Sequence, residues 1–328
     1  MKVSILGAGS WGTALAIHLA RSGHDVVLWT RDSGVAAGID QQRRHPRRLS
    51  AYEIPPAVRP ETDLAAAFRH SETVLLAVPC AALREVLDAA PGPDGGTRQF
   101  VSTAKGIEPD SLKRMTEIVL ERYPTAAVAA LSGPTFAEGV ARGDPSAAVI
   151  ADRGESFARD LQKQFSNGEL RLYSSSDVIG VELAGALKNV IAIAAGIVSG
   201  LGYGHNTLAA LVTRGLAEIG RIVTAFGGES RTIHGLAGMG DLMLTATGRQ
   251  SRNRHLGEQI GRGRKLTDVL VEMPEVAEGA RTCLAVPTIA TRAGVEAPIS
   301  EVVGQLLYEG RDPADGVAGL MARALKSE

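Results

Sequence analysis

Two cysteines, Cys80 and Cys283, are all that a chain of 328 residues contains. They stand far apart and without metal-like spacing. That scarcity excludes a disulfide framework and a cysteine-built metal site, and it fits a reducing compartment. Charge of one sign is equally lacking, because 35 Lys and Arg stand against 36 Asp and Glu and leave a formal net charge of −1. No general electrostatic case for nucleic acid exists, and basic clusters must be read locally. No signal-peptide pattern precedes the first strand, so a cytoplasmic protein is expected. Internal repeats and low-complexity tracts are missing too, apart from an alanine enrichment that favours helix. One apolar run, from Asp177 to Gly200, has nearly the length of a membrane span. It carries Glu182, Lys188 and Asn189 in mid-span and no flanking aromatic belt, so membrane insertion is not expected.

That run is better read as a buried helix. Asp177 suits an N-cap, Gly200 suits a stop, and the apolar residues surround the axis instead of striping one side. The small residues Ala184, Gly185, Ala186, Ala192 and Ala195 allow close approach of other backbones or of a flat ligand. An uncompensated buried ammonium is costly, so Lys188 must pair with an acid or face a cleft where its charge is used. Glu182 is six residues away and on a different face. On this helix alone, a catalytic lysine and a structural ion pair or snorkelling lysine are both open readings.

The N-terminal half reads as α/β. Lys2 to Leu6 is a short β-rich run, followed by Gly7-Ala8-Gly9-Ser10-Trp11-Gly12 and an apolar helical pattern through Ala20. In this strand, Gly-x-Gly-x-x-Gly, helix arrangement, Gly7 permits the tight turn, Gly9 admits a pyrophosphate to the backbone and Gly12 lets helix and strand pack closely. A second strand, Asp25 to Trp29, follows at the spacing of a dinucleotide fold. It ends in Thr30 and Arg31 where an NAD-binding strand ends in an acid, so NADP is favoured over NAD, with Asp32 keeping NAD open. Thr73 to Val78, Gln99 to Thr103 and Ala126 to Leu131 are the third, fourth and fifth strands of a doubly wound sheet. Ser146 to Ile150 and Glu169 to Tyr173 add edge strands around a helix from Gly154 to Phe165. Ligands bind outside the carboxyl ends of such strands, which puts Lys105, Gly133 and Thr135 where cofactor and substrate belong. Cys80 has no nearby base and reads as packing.

After Asp177 the strand signals vanish. The expected organisation is a Rossmann-like dinucleotide-binding domain, residues 1–176, followed by an all-α substrate-binding domain, residues 177–328, with the active site in the cleft between them. A second helix, Asn206 to Phe226, follows the first through the glycine-rich turn Gly200 to Gly204 as an antiparallel hairpin. Gly235 to Asp241 is too glycine-rich for a simple helix. Ser251-Arg252-Asn253-Arg254 at a helix start reads equally as a phosphate clamp or as an ordinary N-cap with solvated arginines. Helices near Arg281 to Ala293, Ile299 to Tyr308 and Asp312 to Lys326 complete the chain.

Taken together, the stretches Gly7 to Ala16, Ala104 to Glu108, Leu131 to Ala137, Gly180 to Val190, Gly235 to Leu242 and Ser251 to Arg254 resemble the bacterial NAD(P)-dependent sn-glycerol-3-phosphate dehydrogenases. The match runs in order over almost the whole chain. The lysine-bearing helix and the Ser-Arg-Asn-Arg segment are far more specific than the glycine turn. The resemblance implies that Ser10, Trp11 and Arg31 line the dinucleotide beside the glycines, with Lys105, Ala137, Arg252, Val276 and Glu278 completing that site. It implies that Lys105, Gly133, Thr135, Lys188, Asp241, Ser251, Arg252 and Asn253 hold glycerol phosphate, with Lys188 moving the proton and Lys105 and Asp241 beside it. In that setting Lys105 and Arg252 would lower the Lys188 pKa and Asp241 would oppose them.

The chain also departs from that family. Arg48 stands where tyrosine is common, in a segment that reads Pro46-Arg47-Arg48-Leu49-Ser50-Ala51. Leu208 replaces a basic residue, and Cys80 a serine. The implied reaction is the reversible reduction of dihydroxyacetone phosphate to sn-glycerol 3-phosphate by NADPH, with NADH as the second cofactor, for phospholipid synthesis. The rivals are a paralogous dehydrogenase acting on a related phosphorylated polyol or on a hydroxyacid, and a catalytically silent NADP-binding sensor. The alanine-rich C-terminal helices leave room for a homodimer interface that nothing in the sequence marks.

Overall fold

The computed structural model describes residues 1–92, 98–273 and 277–325. The chain divides into two compact units, one formed by Met1–Lys105 and Lys113–Glu182, the other by Gly106–Leu112 and Leu183–Glu328.

The first unit is built on an eight-stranded sheet. In chain order its strands are β1 (Lys2–Leu6), β2 (Asp25–Trp29), β3 (Val58–Glu61), β4 (Thr73–Leu76), β5 (Gln99–Ser102), β6 (Ala127–Ser132), β7 (Ser146–Ala151) and β8 (Leu170–Ser175). They lie in the order β3-β2-β1-β4-β5-β6-β7-β8. The pairs from β3 through β6 are all parallel, β7 runs antiparallel to β6, and β8 runs parallel to β7. The fold is therefore Rossmann-like. Both faces are covered, which is why the central strands are apolar on alternating and intervening positions alike. Val3, Ile5, Val26, Leu28, Leu75, Val101 and Leu131 fill the core on one side. Leu6, Val27, Val74, Leu76, Phe68, Phe100 and Tyr123 fill the other.

Two strands and the last helix differ from expectation. β3 was not anticipated, so the strand expected to be third is the fourth. It carries Pro60 and only one fully buried residue, Val58, as an edge strand can, and so shows no apolar signature. Ser146–Ala151 is an inner strand between β6 and β8, and only β8 lies at that edge. The final helix runs Pro313–Met321, shorter than expected, and Lys326 lies outside the described residues.

The long apolar helix spans Val178–Gly200 and is the only one among the described residues long and apolar enough to cross a membrane. Asp177 caps it, accepting the Gly180 N–H at 2.8 Å. The helix is buried at nearly every position, as a run apolar on all sides requires. Glu182 does not serve Lys188. It accepts from Arg114 Nη1 at 2.7 Å, Thr116 N at 2.9 Å and Thr116 Oγ1 at 2.6 Å, all within the first unit.

Among the described residues, every secondary-structure element from Leu183 onward in the second unit is a helix. His205–Ala225 returns after the turn at Leu201–Gly204, and Gly215 leaves room for Ile191. Helix Arg252–Gly261 packs against the buried helix through paired glycines, Gly196 and Gly200 on one and Gly257 and Gly261 on the other. Any Cβ at Gly257 would collide with the Ile193 carbonyl oxygen. This spacing of small residues lets two backbones approach more closely than side chains permit. Glu218, buried in His205–Ala225, accepts the Ile299 and Ser300 N–H groups at 2.9 and 3.0 Å, and so caps helix Pro298–Tyr308.

Candidate functional site

In the first unit the glycine turn follows β1. Gly7 has φ +115°, a conformation that strains any side chain. A Cβ at Gly12 would overlap the Gly7 carbonyl, so only glycine lets helix Ser10–Arg21 start this close to the strand. That helix begins on Gly9, which offers no side-chain oxygen to its first N–H groups. Backbone donors, helix dipole and bare Cα are together suited to a dinucleotide pyrophosphate, and the residues present fit that group. Ser10 and Trp11 open the helix, both half-buried.

At the end of β2, Thr30 Oγ1 accepts the Asp32 N–H at 3.2 Å. Asp32 then caps helix Ser33–Gln42 by accepting the Val35 N–H at 3.0 Å, and it pairs with Arg47. These contacts hold the Asp32 carboxyl below the ordinary range, with Arg47 the larger cause. Its oxygens are thus committed to main chain and guanidinium. Arg31 is exposed and meets Glu85 at 3.1 Å. Such a surface pair is weak and exchanges readily for a phosphate. Arg48 brings Nη1 within 3.2 Å of where a Cβ would stand on Gly9.

The carboxyl ends of β5 and β6 supply a second cluster in the same unit. Lys105 Nζ donates to the Gly133 carbonyl oxygen at 3.0 Å. Gly133 has φ +149°, and a Cβ there would press on Ala148 of β7. Its carbonyl also accepts the Thr135 N–H at 2.8 Å. Ala137 begins helix Ala137–Arg142, half-buried. Lys105, Gly133 and Thr135 therefore share one hydrogen-bonded group.

The second unit centres on Lys188. Its ammonium lies 3.0 Å from Asp241 Oδ1, with both side chains almost fully buried, 6% and 3% exposed. It donates to Thr245 Oγ1 at 2.6 Å. Thr245 in turn donates to the Asp241 carbonyl oxygen at 2.6 Å. Asp241 and Thr245 sit one turn apart on helix Asp241–Thr247 and so face the lysine together. Before them the glycine-rich segment forms a turn of π-helix, Leu236–Gly240, in which Gly240 N–H reaches the Gly235 carbonyl at 3.1 Å. Such widened turns concentrate at functional sites. Thr245 was missed in the sequence, where a threonine inside Leu242–Thr247 gives no signal until the partner is known.

Ser251 is the N-cap of helix Arg252–Gly261, its Oγ accepting the Arg254 N–H at 3.1 Å. Asn253 Nδ2 donates to Asn189 Oδ1 at 2.9 Å, and its Oδ1 accepts the Gly279 N–H at 3.0 Å. Three helices are pinned by that one amide. Arg252 is exposed at the helix start, and Glu278 opens helix Glu278–Ala293, half-buried. Val276 lies outside the described residues.

A phosphate cradle on the first of six parallel strands, with a buried lysine held by an acid and a hydroxyl, defines the class: a nicotinamide-dinucleotide oxidoreductase of Rossmann type. Comparison with known proteins narrows it. The family described as NAD-dependent glycerol-3-phosphate dehydrogenase matches through its N-terminal part over residues 2–158 and its C-terminal part over residues 177–318. A glycerol-3-phosphate dehydrogenase [NAD(P)+] of Syntrophotalea carbinolica is 46% identical over all of this chain and 99% of its own. One of Pelodictyon phaeoclathratiforme is 43% identical over the same shares. A crystal structure of glycerol-3-phosphate dehydrogenase from Coxiella burnetii superposes with a TM-score of 0.93 at 36% identity, covering 98% of this chain and 99% of that one. The chain belongs to the NAD-dependent glycerol-3-phosphate dehydrogenase family.

Proposed function

We propose that the chain catalyses the reversible reduction of dihydroxyacetone phosphate to sn-glycerol 3-phosphate, with NADPH preferred over NADH, in the cytoplasm and in the service of phospholipid synthesis. The observation that carries this is the buried Lys188, Asp241 and Thr245 cluster in a chain 46% identical to an enzyme named for that substrate. A buried ammonium fixed by two partners is a poor choice for stability alone, because burying the charges costs several kcal/mol per ion. It suits a group that gives a proton at a fixed atom.

NADPH, when bound, supplies the hydride that reaches C2 of the ketone. Lys188 donates its proton to the C2 oxygen in the same step, and in the reverse direction takes the hydroxyl proton back. Asp241 and Thr245 hold the Lys188 Nζ in place. Gly7, Gly9, Ser10, Trp11 and Gly12 hold the pyrophosphate, and Ala137, Arg252, Val276 and Glu278 complete the dinucleotide site. Lys105, Gly133, Thr135, Ser251, Arg252 and Asn253 hold the substrate, with cations and N–H donors matched to its phosphate. In this reading residues 1–176 form the dinucleotide-binding domain, which lends Lys105, Gly133 and Thr135 to the substrate, and residues 177–328 the substrate-binding domain, which lends Arg252, Val276 and Glu278 to the dinucleotide.

The preference for NADPH rests on Arg31 and on the committed carboxylate of Asp32. Arg31→Glu is expected to raise the KM for NADPH by about 10- to 150-fold and leave that for NADH nearly unchanged, since one charge-assisted contact is worth about 1.5–3 kcal/mol. Equal loss with both cofactors would remove Arg31 from the 2′-phosphate. Dihydroxyacetone without phosphate is expected to react far more slowly than its phosphate ester, and equal rates would favour a different substrate class. Light scattering on the purified protein reads the oligomeric state, a homodimer giving about twice 34.3 kDa.

A further inference from the structure

His45 lies between helix Ser33–Gln42 and β3, outside the glycine motif, and is only 2% exposed. Its Nε2 bonds the Ala8 carbonyl oxygen at 2.9 Å, inside the glycine turn. Its Nδ1 lies 3.2 Å from the Arg47 backbone nitrogen and 3.1 Å from that of Arg48, both N–H donors. A carbonyl on one side and two N–H groups on the other fix the ring as the neutral tautomer with its proton on Nε2. The segment so held is bent. Arg43 and Leu49 both have left-handed backbones, φ 52° and 50°, which non-glycine residues keep only where surrounding bonds hold them. Arg43 adds such bonds, donating to the Ile54 and Val58 carbonyls at 3.0 and 2.9 Å. The result is the placement of the Arg48 guanidinium over Gly9.

We propose that His45 is a positioning residue for cofactor binding: neutral, it ties the glycine turn to the Arg48 main chain so that Arg48 stands over the pyrophosphate cradle, and protonated, it releases both. The proposal rests on the reading of Gly7 to Gly12 as the dinucleotide site. Protonation converts the Nδ1 acceptor into a donor that opposes two N–H groups. It also adds a cation beside Arg48 and Arg47, with Asp32 the one anion facing the ring among the groups that act on it. Burial lowers the His45 pKa from 6.5, the Ala8 bond and Asp32 act against that, and Arg48 and Arg47 act with it. At neutral pH the ring is therefore uncharged.

The test is NADH binding to the full-length protein by nucleotide fluorescence between pH 5 and 8. NADH is chosen because the 2′-phosphate of NADPH would add its own ionisation, near pH 6 for a phosphate monoester. Because burial sets the His45 ionisation below 6.5, the Kd should be flat from about pH 8 to 6.5 and rise further into acid, by at most tenfold per pH unit for one linked proton. His45→Gln keeps a donor for Ala8 and His45→Asn an acceptor for the main chain. Both should bind NADH about tenfold more weakly at pH 7.5 and lose the acid limb. Arg48→Met leaves the His45 backbone bonds in place and removes a neighbouring cation, so NADH binding should weaken and the acid limb should move to higher pH. An acid limb unchanged in His45→Gln, or unmoved in Arg48→Met, overturns the proposal. Wild-type protein that does not bind NADH at pH 7.5 overturns instead the reading of the glycine turn on which it rests.

Discussion

Lys188 holds its position through Thr245 as much as through Asp241. The threonine hydroxyl has one proton, given to the Asp241 carbonyl, and so it faces the ammonium as an acceptor. Thr245→Val keeps the shape and removes that acceptor. Turnover is expected to fall on the order of ten- to a hundredfold, with cofactor Kd unchanged, because proton transfer by a positioned group is worth roughly 10²- to 10⁴-fold. An unchanged kcat would exclude Thr245 from the proton path. A second residue-scale expectation concerns acid. His18 is 1% exposed, and burial lowers its pKa from 6.5 against the opposing bond from its Nε2 to the Phe165 carbonyl at 2.7 Å. The unfolded chain then takes up a proton near pH 6.5 that the folded chain refuses, so stability is full above that pH and declines as pH falls below it. The loss is at most about 1.4 kcal/mol per pH unit. Burial raises the pKa of Glu218, which acts in the opposite sense, so the difference between wild type and His18→Gln isolates the histidine. Thermal melts from pH 7.5 to 5 should show a steeper fall in wild type, and parallel curves would contradict it.

At the scale of elements, two devices hold the helices that carry the site. The paired glycines Gly196, Gly200, Gly257 and Gly261 set the closeness of helix Arg252–Gly261 to the buried helix. Gly257→Leu is expected to destabilise by about 3 kcal/mol or more, since even modest overpacking of a core costs about 1–3 kcal/mol and here backbone is met directly. Denaturant unfolding measures it, and a change below 1 kcal/mol would show the approach to be loose. Glu182 is the other device, a buried carboxylate between Arg114 and Thr116. Glu182→Ala removes one of the two carboxylates on the buried Arg114, the other being Glu117 at 2.8 Å, and leaves the Thr116 N–H without its acceptor, so it should cost about 1–3 kcal/mol by the same measurement. Both were only partly legible. The sequence promised close approach at Ala184, Gly185, Ala186, Ala192 and Ala195, whereas the contact falls on Gly196 and on Gly200, read there as a stop, and its partner helix lies far along the chain. Glu182 announces a buried charge without naming Arg114. Lys188 shows the same asymmetry: burial demands a partner, the family resemblance put Asp241 beside it, and nothing in the chain placed Thr245.

At the scale of the molecule, the parallel strands were legible where both faces are buried. β1, β2, β4, β5 and β6 read as apolar runs bounded by turns, and the glycine motif named what they hold. β3 was hidden because an edge strand with Pro60 needs little apolar surface. His45 was hidden because its meaning lies in three main-chain contacts, at Ala8, Arg47 and Arg48, that no side-chain pattern records. The change from an α/β fold to helices was visible in the loss of strand signals after Asp177. The central claim is that the buried Lys188 performs proton transfer in the reduction of a phosphorylated ketone by NADPH. It is tested most directly by following NADPH oxidation with dihydroxyacetone phosphate for wild type and Lys188→Ala, with NADPH binding measured in parallel. The account predicts rapid oxidation by the wild type, a loss on the order of 10³-fold or more in the variant, and equal cofactor binding. Wild-type protein that binds NADPH and does not turn over the substrate, or a variant as active as wild type, would contradict it.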